Sequence, residues 1–578
     1  MNEMDMEFYR RERKKYADAI IGSLSRKKLI IAGPGTGKTF IFRSLFGNIK
    51  RTSGKEGLAL TFIRNLATGL RLDLAGLAKV STFHAFCKSM AHTFKNQDFE
   101  YYPKMLKVIE EDFDILGLDK GRDENIERCF FGLKNDAVIE ATLKIGDYYN
   151  AAGHSDSVYR VIRYFENQPD KTPDYPLIAF DEYQDFNYLE IRLVEVLSKA
   201  NPILIVGDDD QALYAFKQAS PDYIRRLSNN PEFETFELPY CSRCTKTIVN
   251  AVENIVLIAE QDGRLDGRIK KPFKYFPPDK EKDSRRYPNI INVNCTVERK
   301  NCHYMGRFIA REISLMPRSY LLESKRLREP AALIIGPRQF LDGVRKELSK
   351  KFDHFEDKRI ADEEIAILDG YKSLAMKPIS RLGWRIILNC DPCNDYKRII
   401  SQAISKGRAI YDLISSRKYI ATHQKISKII NKILFGETIS AVEKKNVERA
   451  CSLSLDEITL RLLDKNNREI EEGLAAETDK IMPAILCTSF EGSKGLAAQY
   501  VFIVGMNASH FPQKYPPSNR DIYRLIVALT RTRKKCYVVS CNNFGGEVLN
   551  RSLFKTWLND ELSKEVYVDK CFITKYCN

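Results

Sequence analysis

Short apolar runs separated by helical stretches set the rhythm of this chain. Leu29-Ile30-Ile31-Ala32, Leu58-Ala59-Leu60-Thr61-Phe62, Leu177-Ile178-Ala179-Phe180, Ile203-Leu204-Ile205-Val206 and Val501-Phe502-Ile503-Val504 are brief and nearly unbroken. A strand covered on both faces reads this way, and alternation with helical segments predicts doubly wound parallel sheets, an α/β fold. Ala332-Leu333-Ile334-Ile335-Gly336 and Cys536-Tyr537-Val538-Val539-Ser540 add strands in the second half, so two sheets fit better than one. Residues 87–176 and about 354–480 break the alternation with largely helical patterns, as inserted domains would. The expected division is 1–86 plus 177–236 for a first lobe and 87–176 for its helical insert. Residues 237–353 plus 481–578 form a second lobe, and 354–480 its insert. The charged, proline-bearing stretch from Lys270 to Pro288 reads as a surface loop or linker.

Composition narrows the class. A chain of 578 residues with 44% hydrophobic content holds several cores. Met1 to Arg26 is rich in charge, with neither the apolar stretch of a signal peptide nor, later, a run long enough to span a bilayer. A soluble, cytoplasmic protein is expected, nucleoid-associated if bacterial. The 14 cysteines are scattered, as free thiols would be. With 92 basic against 77 acidic residues the net charge is +15. Such an excess favours a polyanionic partner, because Lys and Arg set against phosphates release condensed counterions.

The chemistry begins at Ala32-Gly33-Pro34-Gly35-Thr36-Gly37-Lys38-Thr39, between a predicted strand and a predicted helix. Backbone N–H groups exposed by Gly33, Gly35 and Gly37, with Thr36 between them, can wrap phosphate oxygens at a helix N-terminus. Lys38 would reach the β- and γ-phosphates and Thr39 would ligate Mg²⁺. The first position is Ala where the usual pattern has Gly. The strand ending at Phe180 delivers Asp181-Glu182-Tyr183-Gln184-Asp185. Asp181 can hold the Mg²⁺ and Glu182 can polarise an attacking water. A second strand ends in Gly207-Asp208-Asp209-Asp210-Gln211, where Gln211 can sense the γ-phosphate. Cations from a second lobe would complete the site.

The order of these motifs resembles the UvrD/Rep group of superfamily 1 helicases, over both nucleotide-binding halves. Thr61-Phe62, Arg64-Asn65 and Ser81-Thr82-Phe83-His84-Ala85-Phe86 are similar to that family's early DNA-contacting motifs, which implies DNA contacts for Phe62, Arg64, Thr82 and His84. Gly207 to Phe216 resembles its third motif, which gives Phe216 a base-stacking role. Leu238 to Ile248 resembles the motif that brings an arginine, here Arg243, to the γ-phosphate. Ser493-Lys494-Gly495-Leu496 resembles the fifth motif, with Lys494 toward DNA. Arg524 to Arg531 resembles the sixth, with Arg531 as the arginine finger. The resemblance implies two RecA-like P-loop NTPase lobes, ATP and Mg²⁺ between them, and helicase translocation along single-stranded DNA in the 3′ to 5′ direction. Single- to double-strand junctions are implied substrates. The alternative is a DNA-responsive ATPase switch that regulates or loads a separate nuclease in repair or antiviral defence and unwinds little.

Some positions depart from the family pattern. Met1 to Lys28 contains no glutamine, where the family places one that reads adenine, and Ser242 stands where an adenine-stacking tyrosine is usual. Lys217 replaces an arginine, Glu491 stands near a common histidine, and Ala497 replaces a glutamate. Cys241/Cys244 and Cys390/Cys393 each have metal-ligand spacing, with buried free thiols as the simpler reading.

Overall fold

The computed structural model describes residues 3–61, 64–94, 99–120, 125–296, 302–352, 356–358, 365–463 and 484–577. Its frame is two parallel sheets. The first runs, edge to edge, Ala78–Thr82, Gly57–Thr61, Ile178–Phe180, Ile203–Gly207, Lys27–Ala32 and Glu234–Leu238. Every pairing is parallel. The second runs Glu356–Lys358, Ile485–Thr488, Ala332–Ile335, Ala498–Val504, Thr532–Cys541, Ile290–Cys295 and Ser563–Val568, again all parallel. The apolar runs become central strands because helices cover both faces, which leaves Leu29, Ile30, Ile203, Leu204, Val501 and Phe502 buried. These are two RecA-like lobes.

The helix Lys38–Ser53 shows how local sequence seats the first lobe. Ile41, Phe42, Leu45 and Phe46 form one apolar face buried against the sheet. Gly54, at φ 69°, ends it by returning its N–H to the Lys50 carbonyl. In the helix Tyr188–Ala200, Asn187 and Glu190 cap each other, the Asn187 side chain accepting from the Glu190 N–H and Glu190 accepting from the Asn187 N–H.

Residues 105–167 are mainly helical, as are 367–463, and the two regions pack on each other. Arg385, almost fully buried, donates to Asp112 at 2.7 Å and Glu111 at 2.9 Å. Tyr149 closes the other Asp112 oxygen at 2.8 Å, and Tyr102 and Lys104 reach Asp369. Breaking such a buried pair by removing one partner costs about 3–5 kcal/mol. The stretch expected as a linker is structured: it contains the short strand Lys274–Tyr275 and the helix Pro277–Arg286. Among the described residues no helix is long and apolar enough to cross a membrane.

Candidate nucleotide and nucleic-acid site

Because Lys27–Ala32, Ile178–Phe180 and Ile203–Gly207 lie side by side and parallel, the loops at their carboxyl ends share one edge of the sheet. Gly35 and Gly37, at φ 70° and 102°, hold backbone that side chains rarely adopt. Thr36 Oγ1 donates to the Gly33 carbonyl at 2.8 Å and closes the turn. Lys38 Nζ then lies 3.0 Å from Glu182 Oε1 and 3.7 Å from Asp181 Oδ1. Thr39 is exposed on the first helical turn.

Glu182 sits in the left-handed region, at φ 57°, two residues after the strand. Strain of this kind persists where surroundings over-determine it, and here they do. Gln184 Nε2 donates to Glu182 Oε2 at 2.8 Å, and Lys494 Nζ lies 3.3 Å from the same oxygen. Burial opposes the charge on Glu182, yet Lys38 and Lys494 overcome it and hold the carboxyl well below its usual range. Burial raises Asp181, and Lys38 offsets this only in part. Burial likewise brings Asp185 up to about 6 despite its contact with Lys494.

A continuous chain of polar contacts then crosses to the second lobe. Gln184 Oε1 accepts from the Asp208 N–H at 3.0 Å, and Asp208 Oδ2 accepts from Gln211 Nε2 at 2.7 Å. Gln211 Oε1 accepts from Arg531 Nη2 at 3.1 Å. Arg531 is buried and also donates to the carbonyls of Val527 and Leu496. Burial, then the nearby Arg243, lower its pKa to about 9, so it remains a cation at neutral pH. Lys494, expected toward DNA, is placed instead in this cleft: it is buried, contacts Asp185, and donates to the Gln211 carbonyl at 2.7 Å. Arg243 stands against the phosphate loop, where a Cβ added to Gly35 would meet its Cβ at 2.4 Å. Next to it, the Ser242 N–H donates to the Gly35 carbonyl at 2.9 Å.

Asp208, Asp209 and Asp210 are all buried, and their oxygens are close enough together to hold a metal ion. The ammonium of Lys271 fills that role, 2.9 Å from Asp208 and from Asp210 and in contact with Asp209. Arg268 Nε bonds Asp210 at 2.8 Å and Arg225 Nε bonds Asp209 at 3.0 Å. Burial alone would neutralise Lys271, but the three carboxylates raise its pKa well above that of an ordinary lysine. Sequence reasoning missed Gln184, Arg225, Arg268 and Lys271. Gln184 had a signal, two residues past Glu182. The cations had none, since each is one of many in charged stretches.

The residues expected on the nucleic-acid track are more dispersed. Phe216 is 47% exposed, with its ring 5.7 Å from Tyr214. Thr82 Oγ1 accepts from the Ala85 N–H at 3.2 Å and so caps the helix Phe83–Phe94, and the His84 ring lies 4.5 Å from that of His154. Arg64 begins the helix Arg64–Asp73, while Phe62 and the Arg64 side chain lie outside the described residues. Glu491 holds Arg524 at 2.6 Å and Arg520 at 3.0 Å. Cys241, beside Gly35, and Cys244 are buried, whereas Cys390 is exposed on the helical body.

Two parallel sheets with a phosphate loop on one and crossing cations from the other define a two-lobed P-loop NTPase. A family profile described as an AAA domain matches residues 17–217. The chain is 22% identical to the ATP-dependent DNA helicase PcrA of Staphylococcus aureus over 620 aligned residues, covering 88% of this chain and 80% of that protein. It is 21% identical to PcrA of Staphylococcus epidermidis, covering 89% and 81%. Over most of its length the chain is thus similar, at low identity, to ATP-dependent DNA helicases.

Proposed function

We propose that the chain hydrolyses ATP in the cleft between its lobes and uses each cycle to step along single-stranded DNA in the 3′ to 5′ direction. The observation that carries this reading is the chain of contacts from Lys38 through Glu182, Gln184, Asp208 and Gln211 to Arg531. It ties the phosphate loop of one lobe to a cation of the other. The likeness to the PcrA proteins supports ATP and DNA as substrates.

In this reading a triphosphate draws Lys38 from Glu182 to its β- and γ-oxygens. Glu182, held by Gln184 and Lys494, then orients a water and accepts its proton. Gln211 aligns that water, and Arg243 and Arg531 stabilise the charge that develops on the transferred group. Thr39 and Asp181 offer hard oxygen donors that suit Mg²⁺ and would hold it. Bound there, the ion would neutralise phosphate charge. Stacking of bases on Phe216 tolerates any sequence, as a translocating motor requires.

Lys38→Ala or Glu182→Gln is expected to lower DNA-stimulated hydrolysis by about a thousandfold or more, measured as steady-state turnover. A normal rate in either variant would sink the assignment. A second reading, a DNA-responsive ATPase that regulates a separate nuclease, draws on the engagement of Arg520 and Arg524 by Glu491, which offsets two cations that could otherwise grip phosphates. Strand displacement on tailed duplexes separates the two: stimulated hydrolysis without displacement favours the switch.

A further inference from the structure

The tetrapeptide Cys241-Ser242-Arg243-Cys244 leads from the short strand Tyr240–Cys241 toward the helix Lys246–Gln261. It sets two sulfurs against the nucleotide cleft. A Cβ added to Gly35 would stand 3.3 Å from the Cys241 sulfur, and the Cys244 N–H donates to that sulfur at 3.4 Å. The Cys244 S–H is shared between Cys241 and the carbonyl oxygen of Thr530, 3.6 Å away on the residue that precedes Arg531. Burial opposes a thiolate at Cys241, yet the Cys244 thiol and the N–H groups of Cys244 and Arg243 bring its pKa down to about 6. Its hydrogen bond to Cys241, and then burial, keep the Cys244 thiol protonated. Cys390 and Cys393 have the same spacing and behave differently, since burial raises both, Cys390 to about 11. Spacing alone therefore does not set the first pair apart. Its converging donors do, because they favour one nucleophilic sulfur with a second thiol beside it.

We propose that Cys241 and Cys244 are a peroxide-sensitive pair whose disulfide silences the nucleotide site by displacing Arg243. The proposal rests on the nucleotide site described above and adds a covalent control to it. The Cys241 thiolate attacks one oxygen of a hydroperoxide such as hydrogen peroxide, the O–O bond breaks, and hydroxide leaves with a proton as water. Cys241 is then a sulfenic acid. The Cys244 sulfur, giving up its proton, attacks Cys241, the S–O bond breaks, and a second water leaves. Two thiols have lost two electrons and one peroxide has gained them. A dithiol reductant reverses the change by two thiol–disulfide exchanges. Both sulfurs are buried, so the parting of the lobes in each cycle is what admits so small an oxidant. The bond draws the sulfurs to about 2.05 Å, well inside hydrogen-bond contact. Cys244 must then leave the Thr530 carbonyl or Cys241 must leave Gly35, and Arg243, held between them, moves with either.

The test uses the full chain with single-stranded DNA. The chain is treated with hydrogen peroxide, free thiols are blocked by alkylation, and disulfides are mapped by peptide mass, beside steady-state ATP hydrolysis and binding of a fluorescent ADP. The Cys241–Cys244 bond is expected to form ahead of any modification of the exposed Cys390 and Cys571. Turnover should fall by about a hundredfold, as a misplaced catalytic group costs, and return with dithiothreitol. Cys241→Ser removes the attacking sulfur and should keep its turnover through the same treatment, whereas Cys244→Ser should stop at the sulfenic acid, which a 1,3-dione reagent captures on Cys241. A pair that stays reduced while Cys390 or Cys571 is oxidised would overturn the proposal. So would a mapped bond with turnover unchanged, or loss of turnover in Cys241→Ser equal to that of the parent chain. A reduced chain without hydrolysis counts against the proposed function instead. In that case the mapped bond with weakened ADP binding supports the switch, and unchanged ADP binding overturns it.

Discussion

The two lobes share a fold and present opposite charge to the cleft, and the chain direction explains the contrast. On the first sheet the candidate groups follow the carboxyl ends of strands: Lys38 opens a helix, while Asp181, Glu182, Asp185 and Asp208 to Asp210 are acids. On the second, Lys494 and Arg531 precede the amino ends of Ala498–Val504 and Thr532–Cys541. Arg531 also follows the C-terminus of the helix Asn519–Leu529 and donates to its Val527 carbonyl, where the helix dipole favours a cation. Stacking the acidic carboxyl edge of one parallel sheet on the cationic amino edge of another therefore builds a site that neither lobe contains alone.

The contrast can be broken most severely at Lys271. Lys271→Met leaves three buried carboxylates facing one another and should cost about 3–5 kcal/mol, seen as a lower melting temperature, with Lys271→Arg retaining most of the stability. Next in size is Arg531→Ala, expected to lower turnover by about a hundredfold to a thousandfold. Lysine at that position should rescue little, because Arg531 uses its planar donors on four separate oxygens. Lys494→Ala and Phe216→Ala form a smaller, opposed pair. Losing Lys494 should slow hydrolysis and leave DNA affinity within about twofold, whereas losing Phe216 should weaken DNA binding by about 1–3 kcal/mol. A salt-controlled DNA titration beside a turnover assay reads both, and a large affinity loss in Lys494→Ala would return that lysine to the nucleic-acid track.

The smallest effect is a pH signature of opposite sign in each lobe. Burial raises Glu190, in the first lobe, from 4.5 to about 7. The folded state then holds the proton longer than the unfolded one, so stability falls as pH rises through that window. In the second lobe burial lowers Lys555 from 10.5 to about 8, and there the unfolded state holds the proton longer, so stability rises from about pH 8 upward. Glu190→Gln should flatten the first trend and Lys555→Met the second, in melting temperatures measured across pH. Unchanged slopes in both variants would remove these groups from the account.

How much of this was legible follows from the range of each interaction. Apolar runs such as Ile203 to Val206 announce central strands because burial on both faces is a local requirement, and the phosphate loop is local too. Asp181, Glu182 and Gln211 could be placed because a parallel sheet aligns its strand ends. Lys494 and Arg531 were legible as motif residues, yet their meeting with Asp185 and Gln211 depends on how two sheets stack, which no spacing encodes. Lys271 was harder still. In a stretch with Lys270 and Lys274 beside it, a linker is the natural reading, and only the tertiary position of Asp208 to Asp210 singles it out.

The hydrogen bond from the Ser242 N–H to the Gly35 carbonyl makes part of the coupling between lobes resistant to mutation. Its donor and acceptor belong to the main chain, so every residue but one at position 242 can keep it. Proline is the exception, lacking the N–H. Drift in the side chains around this contact therefore leaves the phosphate loop fastened to the segment that carries Arg243.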